Sequence, residues 1–256
     1  MKLGIASPSL LLVSLVSLAV PSATSQDQKT PGHGWSYSGA EGPDHWGELK
    51  PEYDSCSLGH RQSPIDIRDA HDADLSPIHF DYKPTALKMI NNGHTIQVNY
   101  ARGNSITVGN KRYELIQFHF HHPSEEEIEG KTYDMVVHLV HRDQDGNLAV
   151  VAVLLTKGRA NAMVQELWEH LPEEKEKETL IHGVEINAAD LLPADRGYYS
   201  FPGSLTTPPC TEGVSWFVLK TPTEISSSEI VQFGALYPHN ARPVQPLNRR
   251  TILQTN

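Results

Sequence analysis

Two histidines separated by one residue, His119 and His121, lie in the segment QFHFH at residues 117–121. The segment predicts a β-strand, in which alternate side chains point to opposite faces, so both imidazoles share one face. A third imidazole, His138, lies in a second strand-like segment at residues 135–140. Three neutral imidazole ligands with one position left to water are typical of catalytic zinc, whereas structural zinc takes four protein ligands. For the His-x-His pattern alone, a hydrogen-bonded pair of core histidines is the alternative.

The segments around these histidines predict a sheet. Short apolar or alternating runs broken by turn residues predict strands at residues 65–67, 95–100, 106–108, 115–121, 135–140 and 148–155. The last is continuously apolar, which predicts a strand buried on both faces. Helical spacing predicts one helix over residues 164–171 with Asn161 as N-cap, and the capping box of Ser226 and Glu229 predicts a second. The expected fold class is mostly β (α+β): one domain with a large twisted, predominantly antiparallel central sheet and short peripheral helices.

Two further segments are interpreted from composition. Residues 26–63 are rich in glycine, proline and aromatic residues and are interpreted as an irregular arm wrapped on the body. The mixed-charge run at residues 173–178 is interpreted as a solvated surface turn without chemistry.

The N-terminus has the pattern of a signal peptide. Met1-Lys2 precedes an apolar segment at residues 10–20, and the small residues Ala23 and Ser25 suit cleavage after Ser25. The apolar segment is shorter than the ~20 residues of a membrane span. We therefore expect a signal peptide over residues 1–25, one domain over residues 26–256, and an exported protein, periplasmic or secreted, whose mature chain does not insert into a membrane.

The net charge restricts the expected binding partners, and the two cysteines bear on the cellular compartment. Removing the signal peptide takes away Lys2 and changes the net charge from −10 to −11, which leaves no electrostatic footprint for nucleic acid or anionic membrane. Cys56 and Cys210 are expected to form a disulfide in an exported chain, with two unrelated buried thiols as the alternative. The sequence contains no Asn-x-Ser/Thr sequon, which favours a bacterial protein over a glycosylated eukaryotic one.

A second motif identifies the family resemblance. It is GSLTTPPC at residues 203–210, and it occurs with PSE at 123–125, HLVH at 138–141, RQSPIDI at 61–67 and RPVQPL at 242–247. Together with QFHFH, these segments resemble the α-class carbonic anhydrases of the exported, bacterial type, from about residue 35 to residue 250. The resemblance implies reversible hydration of carbon dioxide to bicarbonate and a proton, with Zn²⁺ as cofactor.

The resemblance also implies the reacting groups. His119, His121 and His138 would bind zinc, which lowers the pKa of a bound water to about 7 and gives a hydroxide that attacks carbon dioxide. Thr206 would accept a hydrogen bond from that hydroxide, and Glu125 would accept one from the hydroxyl of Thr206. This relay would orient the nucleophile, and orientation supplies a large share of a barrier reduction.

The resemblance also implies which residues form the substrate pocket and which residues carry the proton to solvent. The expected substrate pocket consists of Val140, Val150, Leu205, Thr207, Val214 and Trp216. His94 would be the proton shuttle, because an imidazole with a pKa near 6.5 exchanges protons near neutral pH; without the resemblance, a lone loop histidine is an ordinary surface residue. Tyr37, Asn92 and Gln97 would order water between the metal and His94, and Gln97 lies where many relatives carry asparagine.

The hydrogen-bond partners of the ligands are expected to fix the imidazole tautomers. Gln117 shares the strand face of His119 and can accept a hydrogen bond from its ring. By resemblance, the backbone carbonyl of Asn240 does the same for His121.

The partner of His138 departs from the family. Many relatives carry a glutamate two residues before this histidine, where this chain has Val136, which cannot accept a hydrogen bond. Relatives that keep this glutamate often carry a histidine directly after the residue that matches Glu125. This chain has Glu126 at that position. The hypothesis is that Glu126 reaches the ring of His138 instead; the alternative is that Glu126 faces solvent and a carbonyl or water serves His138.

Three functions other than carbon dioxide hydration are considered as alternatives. An acatalytic relative that acts as a binding protein is the main alternative, although such proteins typically lose metal ligands. A zinc store or metal chaperone would need flexible His-rich tracts, and ester hydrolysis is a possible side activity. Another divalent ion such as cobalt would also suit the site, and both monomer and homodimer are compatible with the sequence. His122, His141 and His45 match no ligand position and are interpreted as structural or surface residues.

Overall fold

The computed structural model describes Met1 and residues 34–256. Apart from Met1, the predicted signal peptide lies outside the described residues, so its assignment stays a prediction. Residues 34–256 lie in one compact unit. Within this part of the chain, no helix is long and apolar enough to cross a membrane.

The described part contains many strands and few helices. The strands are β1 (Asp66–Ile67), β2 (His71–Ala73), β3 (Ile78–Asp81), β4 (Thr85–Asn91), β5 (Ile96–Asn99), β6 (Ser105–Val108), β7 (Lys111–His121), β8 (Glu127–Ile128), β9 (Met135–Arg142), β10 (Leu148–Lys157), β11 (Thr179–Ile186), β12 (Tyr198–Ser204), β13 (Glu212–Leu219), β14 (Thr223–Ile225) and β15 (Leu253–Thr255). The helices are α1 (Trp46–Leu49), α2 (Ser55–Leu58), α3 (Ala162–Glu169) and α4 (Ser227–Leu236), with 3-10 turns at Gly39–Glu41, Pro43–His45, Pro51–Tyr53 and Ala188–Leu191.

One sheet of 13 strands dominates the fold, in the order β11-β4-β5-β7-β9-β10-β13-β12-β15-β2, with β6 added on β7, β3 on β6 and β14 on β10. Strands β1 and β8 form a separate parallel pair. Most neighbours in the large sheet are antiparallel, but β10 is parallel to β13 and β14, and β15 is parallel to β2. The predicted mostly β, single-domain fold is therefore confirmed, with a sheet that is mixed.

Alternation in the central strand β7 separates the core from the histidines. Phe118 and Phe120 are fully buried in the larger apolar cluster, where the ring of Phe120 meets Trp168 at 4.9 Å between centroids. His119 and His121 consequently point to the opposite face. The apolar core on one face of the sheet thus fixes the direction of the imidazoles on the other.

A β-bulge extends this separation along the whole strand. In the pairing of β7 with β9, Leu115 lies opposite His141 and Gln117 lies opposite Val140, so that Ile116 is the extra residue. Because one extra residue reverses the alternation, Leu115 lies in the same core cluster as Phe118. The bulge therefore buries the start of β7 without turning the histidines away from their face.

The helix caps follow the sequence signals. The Asn161 side chain accepts hydrogen bonds from the amides of Met163 and Val164 at the start of α3, and the capping box of Ser226 and Glu229 opens α4. Both predicted caps are confirmed. Strand β10 is buried over nearly its full length, as its apolar run predicts.

We expect Asn161→Ala to lower the free energy of unfolding by about 1 kcal/mol, because it removes the acceptor for two amides at the start of α3. Urea denaturation would measure the change. Asn161→Ser is the matched control, since a serine hydroxyl can still cap the helix. An equal loss in both variants would contradict the capping role.

Candidate metal centre

The histidines of β7 and β9 converge on one face of the sheet. His119 lies directly opposite His138 in the strand register, and His121 lies opposite Val136. One nitrogen from each of the three rings lies within 4.8 Å of the other two. His121 and His138 are buried, and His119 is partly buried.

One nitrogen of each ring is hydrogen-bonded to an acceptor. The pairs are His119 Nδ1 with Gln117 Oε1 at 2.8 Å, His121 Nδ1 with the backbone oxygen of Asn240 at 2.7 Å, and His138 Nε2 with Glu126 Oε2 at 3.1 Å. Amide, carbonyl and carboxylate oxygens accept hydrogen bonds, so the ring proton belongs on these nitrogens. The lone pairs then lie on Nε2 of His119 and His121 and on Nδ1 of His138.

The electrostatics of the rings suit a bound cation. Burial, reinforced by His138, lowers the pKa of His119 to about 3 and that of His121 well below its usual value. Both rings are therefore neutral at pH 7, which is the form that binds metals. Nε2 of His121 is buried without a hydrogen-bond partner among the described residues, which is unfavourable unless another group satisfies it. The three rings fit a zinc ion on these grounds.

The carboxylate of Glu126 lies beside the ring of His138, and its replacement of the family's glutamate stays a hypothesis. Glu126 is fully buried, and its Oε2 accepts the hydrogen bond from His138. Val136 is also fully buried, on the same strand as His138. Burial lowers the pKa of His138, but the neighbouring Glu126 and Glu125 carboxylates outweigh burial and raise it.

Glu125 lies between the histidine triad and Arg242. Its Oε1 accepts a hydrogen bond from the backbone amide of Arg242 at 2.8 Å. Its Oε2 lies 3.5 Å from His121 Nε2 and 3.8 Å from His138 Nδ1. The carboxylate thus borders the point on which the rings converge.

The protonation of Glu125 reflects opposing causes. Burial raises its pKa to about 7, His138 lowers it and Glu126 raises it, while hydrogen bonds from the Arg242 amide and the Thr206 side chain lower it. A cation held by the rings would lower this pKa further and favour the carboxylate. The buried Thr206 belongs to the loop between β12 and β13.

An apolar wall flanks the triad. Its members are Val140, Val150, Val214 and Trp216 in one buried cluster, with Leu205 packed against it. The Trp216 ring meets the edge of His138 at 5.0 Å between centroids and donates a hydrogen bond to the backbone oxygen of Ser204. Thr207, the remaining predicted pocket residue, is partly buried and accepts a hydrogen bond from the Cys210 amide.

The predicted shuttle lies in a loop between β4 and β5. The ring of His94 stacks on Trp35 at 3.7 Å between centroids and 7° between planes, and Tyr37 meets it at 6.4 Å. Asn92 accepts a hydrogen bond from the His94 amide and donates one to Gln97. Burial raises the pKa of Tyr37 well above its usual value, so its hydroxyl stays protonated.

The predicted disulfide between Cys56 and Cys210 is present. It joins the N-terminal arm to the end of the loop that carries Thr206. Trp46 packs in the same buried cluster, against Trp35 and Tyr37 of the arm. The prediction that the arm wraps on the body agrees with this packing.

The remaining histidines lie apart from the triad. The His122 ring is paired with the backbone oxygen of Pro238, and the buried His141 ring meets the Tyr82 hydroxyl at 2.6 Å. His45 is exposed and lies near Glu48. These contacts agree with the interpretation of the three histidines as structural or surface residues.

Sequence reasoning assigned no role to Arg242 or Trp35. The Arg242 guanidinium donates hydrogen bonds to Gln62 Oε1 and to the backbone oxygens of Ser63 and Cys56. An arginine within a largely apolar C-terminal motif was the available signal, but its partners lie about 180 residues away in the chain. Trp35 was recognised only as one of the aromatic residues of the arm.

Three imidazoles that converge on one point, with a carboxylate and an apolar wall beside them, are positioned to hold a metal ion. The profile of the eukaryotic-type carbonic anhydrases matches residues 41–256. The chain belongs to this family, the α-class carbonic anhydrases, which confirms the resemblance read from the sequence.

Individual relatives match over nearly their full length. A carbonic anhydrase of Nostoc sp. is 41% identical over 250 residues, which cover 96% of this chain and 95% of that protein. One from Neisseria gonorrhoeae is 43% identical over 249 residues, covering 96% and 97%. The structure of a hyperthermostable carbonic anhydrase identified from a hydrothermal vent chimney aligns with a TM-score of 0.84 at 47% identity, over 87% of this chain and 100% of that one.

We expect Glu126→Ala to weaken zinc retention by roughly 10–100-fold, because the ring of His138 loses the acceptor that fixes its tautomer. Competition with a chelator would measure the affinity. Glu126→Gln should retain more affinity, since its amide oxygen can still accept. Glu127→Ala is the matched control, because that carboxylate accepts from Thr132 instead. Unchanged affinity in Glu126→Ala would rule out the replacement of the family's glutamate.

Proposed function

We propose that this enzyme catalyses the zinc-dependent, reversible hydration of carbon dioxide to bicarbonate and a proton, with a histidine proton shuttle. Membership of the carbonic anhydrase family supports hydration of carbon dioxide. The observation that carries the proposed chemistry is the triad itself, in which each ring donates from one nitrogen and directs the other to a common point.

His119, His121 and His138 would hold the ion through Nε2, Nε2 and Nδ1 respectively. Zinc bound there supplies Lewis-acid chemistry that makes water a nucleophile near neutral pH. Gln117, Asn240 and Glu126 keep the three rings in the tautomers that leave these nitrogens unprotonated.

Thr206 and Glu125 would orient the nucleophile. A carboxylate can only accept a hydrogen bond, so Glu125 would accept one from the hydroxyl of Thr206. The oxygen of Thr206 would then be left to accept a hydrogen bond from the nucleophile. The backbone amide of Arg242 donates to Glu125 Oε1, which restricts the rotation of this carboxylate.

The apolar wall would receive the substrate. Carbon dioxide is apolar and gains nothing from a charged clamp, whereas a wall of valine and tryptophan side chains excludes competing water. Val140 lies on the strand face of His138, and Val150 is its direct neighbour on β10. These positions support a substrate pocket beside the triad.

His94 would carry the proton away from the site. Its loop lies at the end of β4, and Tyr37, Asn92 and Gln97 offer hydroxyl and amide groups that can order water on the way. The ring stacked on Trp35 gives the shuttle a defined resting position.

Export to the periplasm or the medium is proposed on two grounds. The N-terminal sequence has a signal-peptide pattern, and disulfides such as Cys56–Cys210 persist in oxidising compartments. The alternative of an acatalytic binding protein is disfavoured, because the triad, Thr206 and Glu125 are all present in the chain.

We expect His121→Ala to lose bound zinc and carbon dioxide hydration together, because two imidazoles do not hold the ion against solvent. Metal analysis and stopped-flow hydration on the same sample would show both losses. His122→Ala is the matched control: this neighbouring histidine hydrogen-bonds outside the triad and should retain metal and rate. Stoichiometric zinc and parental rate in His121→Ala would remove His121 from the ligand set.

We expect His94→Ala to slow turnover strongly in weak buffer and to recover when imidazole is added, because a diffusible base can replace the missing side chain. Stopped-flow hydration at several imidazole concentrations would measure the recovery. His45→Ala, at an exposed position, should not respond to imidazole. Parental turnover of His94→Ala in weak buffer would show that protons leave by another route.

A further inference from the structure

The mixed-charge run at residues 173–178 contacts the strands on both sides of the His94 loop. The backbone amide of Glu176 donates to the oxygen of Asn91 at 2.6 Å, where β4 ends. The side chain of Glu178 accepts a hydrogen bond from Asn99 Nδ2, where β5 ends. The interpretation of this run as a solvated turn without chemistry therefore overlooked its position against the shuttle loop.

A chain of three side-chain amides connects Glu178 to this loop. Asn99 Nδ2 donates to Glu178, Gln97 Nε2 donates to Asn99 Oδ1 at 2.7 Å, and Asn92 Nδ2 donates to Gln97 Oε1 at 3.4 Å. At the far end, Asn92 Oδ1 accepts the backbone amides of His94 at 3.0 Å and Thr95 at 2.9 Å. The chain thus runs from a surface carboxylate to the backbone of the predicted shuttle.

The groups at the two ends permit only one orientation of these amides. Backbone amides only donate and a carboxylate only accepts, so each side-chain oxygen must point toward His94 and each NH₂ group toward Glu178. Reversing Asn99 would set its oxygen against the carboxylate of Glu178, and would set its NH₂ group against that of Gln97. Hydrogen bonds in such chains also polarise one another, which strengthens the preferred direction.

Contacts independent of the carboxylate also hold the loop: Asn92 Oδ1 accepts the His94 and Thr95 amides, and the Asn92 amide donates to the Thr95 oxygen at 3.2 Å. Asn240 Nδ2 donates to the oxygen of His94, and the ring of His94 stacks on Trp35. None of these contacts touches Asn99, for which Glu178 is the acceptor at the far end of the chain. Glu178 is 44% exposed and lies 3.9 Å from Lys88, so its effect is partly screened by solvent and modest in size.

We propose that Glu178 is a positioning residue for proton transfer: its carboxylate orients Asn99, Gln97 and Asn92 so that Asn92 holds the backbone of the His94 loop. The proposal rests on the proposed shuttle function of His94. Glu178 does not touch substrate or metal and acts only through the amide chain.

The test separates proton transfer from the chemistry of carbon dioxide. In weak buffer at saturating substrate, turnover includes release of the proton to solvent, whereas kcat/KM covers the steps up to formation of bicarbonate. Glu178→Ala should lower kcat in weak buffer about two- to tenfold, the range for loss of one partly solvated hydrogen bond, with kcat/KM and zinc content unchanged. Imidazole should restore kcat.

Two single variants and one double variant serve as controls. Glu178→Gln should behave as the parent, because its amide oxygen can still accept from Asn99. Glu174→Ala removes an equal charge from the same run, but its carboxylate pairs with Lys177, and it should leave kcat unchanged. In a His94→Ala background, Glu178→Ala should cause no further loss, because its effect passes through His94.

Other outcomes would overturn the proposal. A Glu178→Ala variant that matches Glu174→Ala, or that loses kcat equally with and without His94, would show that the amide chain does not position the shuttle. If His94→Ala is slow in weak buffer and Glu178→Ala is not, only this proposal fails. If His94→Ala keeps the parental rate, the shuttle function fails and this proposal fails with it.

Discussion

Three imidazoles packed on one face of a sheet need hydrogen-bond partners for their polar atoms. Three different acceptors satisfy one nitrogen of each ring: an amide on the same strand, a backbone carbonyl from the C-terminal segment and a carboxylate from a neighbouring loop. Each acceptor also determines which nitrogen carries the lone pair. The hydrogen bonds from the rings to Gln117, Asn240 and Glu126 are therefore also the contacts that leave one nitrogen of each ring available to a metal ion.

His138 obtains its acceptor from Glu126, in the loop after β7, and not from a residue of its own strand. His138 is buried and would keep an unsatisfied N–H if Val136 were its only neighbour on the strand. Placing the carboxylate on Glu126 satisfies the ring, but it also brings a second buried charge close to Glu125, which raises the pKa of Glu125. The arrangement is self-consistent once a cation is present, because the positive charge offsets both carboxylates.

The sequence predicted those parts of the structure that depend on local spacing. Alternation placed His119 and His121 on one face, and capping residues located both longer helices, because these patterns act within a few residues. The bulge at Ile116 and the parallel pairing of β10 with β13 were not predicted, since register depends on partners far along the chain. The amide chain from Glu178 was missed for the same reason, as a charged run gives no local sign of what it contacts.

Arg242 connects the outer arm with the reacting groups. Burial lowers its pKa to about 10, and the nearby Glu125 opposes this shift, so the guanidinium remains charged at neutral pH. A buried charge is tolerated only when it is hydrogen-bonded, and the acceptors are Gln62 and the backbone oxygens of Ser63 and Cys56.

The disulfide between Cys56 and Cys210 links the arm to the loop that carries Thr206. Gln62 also donates to the backbone oxygen of Cys210, at the end of the loop that carries Thr206, while the amide of Arg242 holds Glu125. Both members of the Thr206–Glu125 pair are thus fixed to the segment around Cys56, one through the disulfide loop and one through Arg242. This double attachment restricts the movement of Thr206 and Glu125, and side chains in a catalytic site tolerate little displacement.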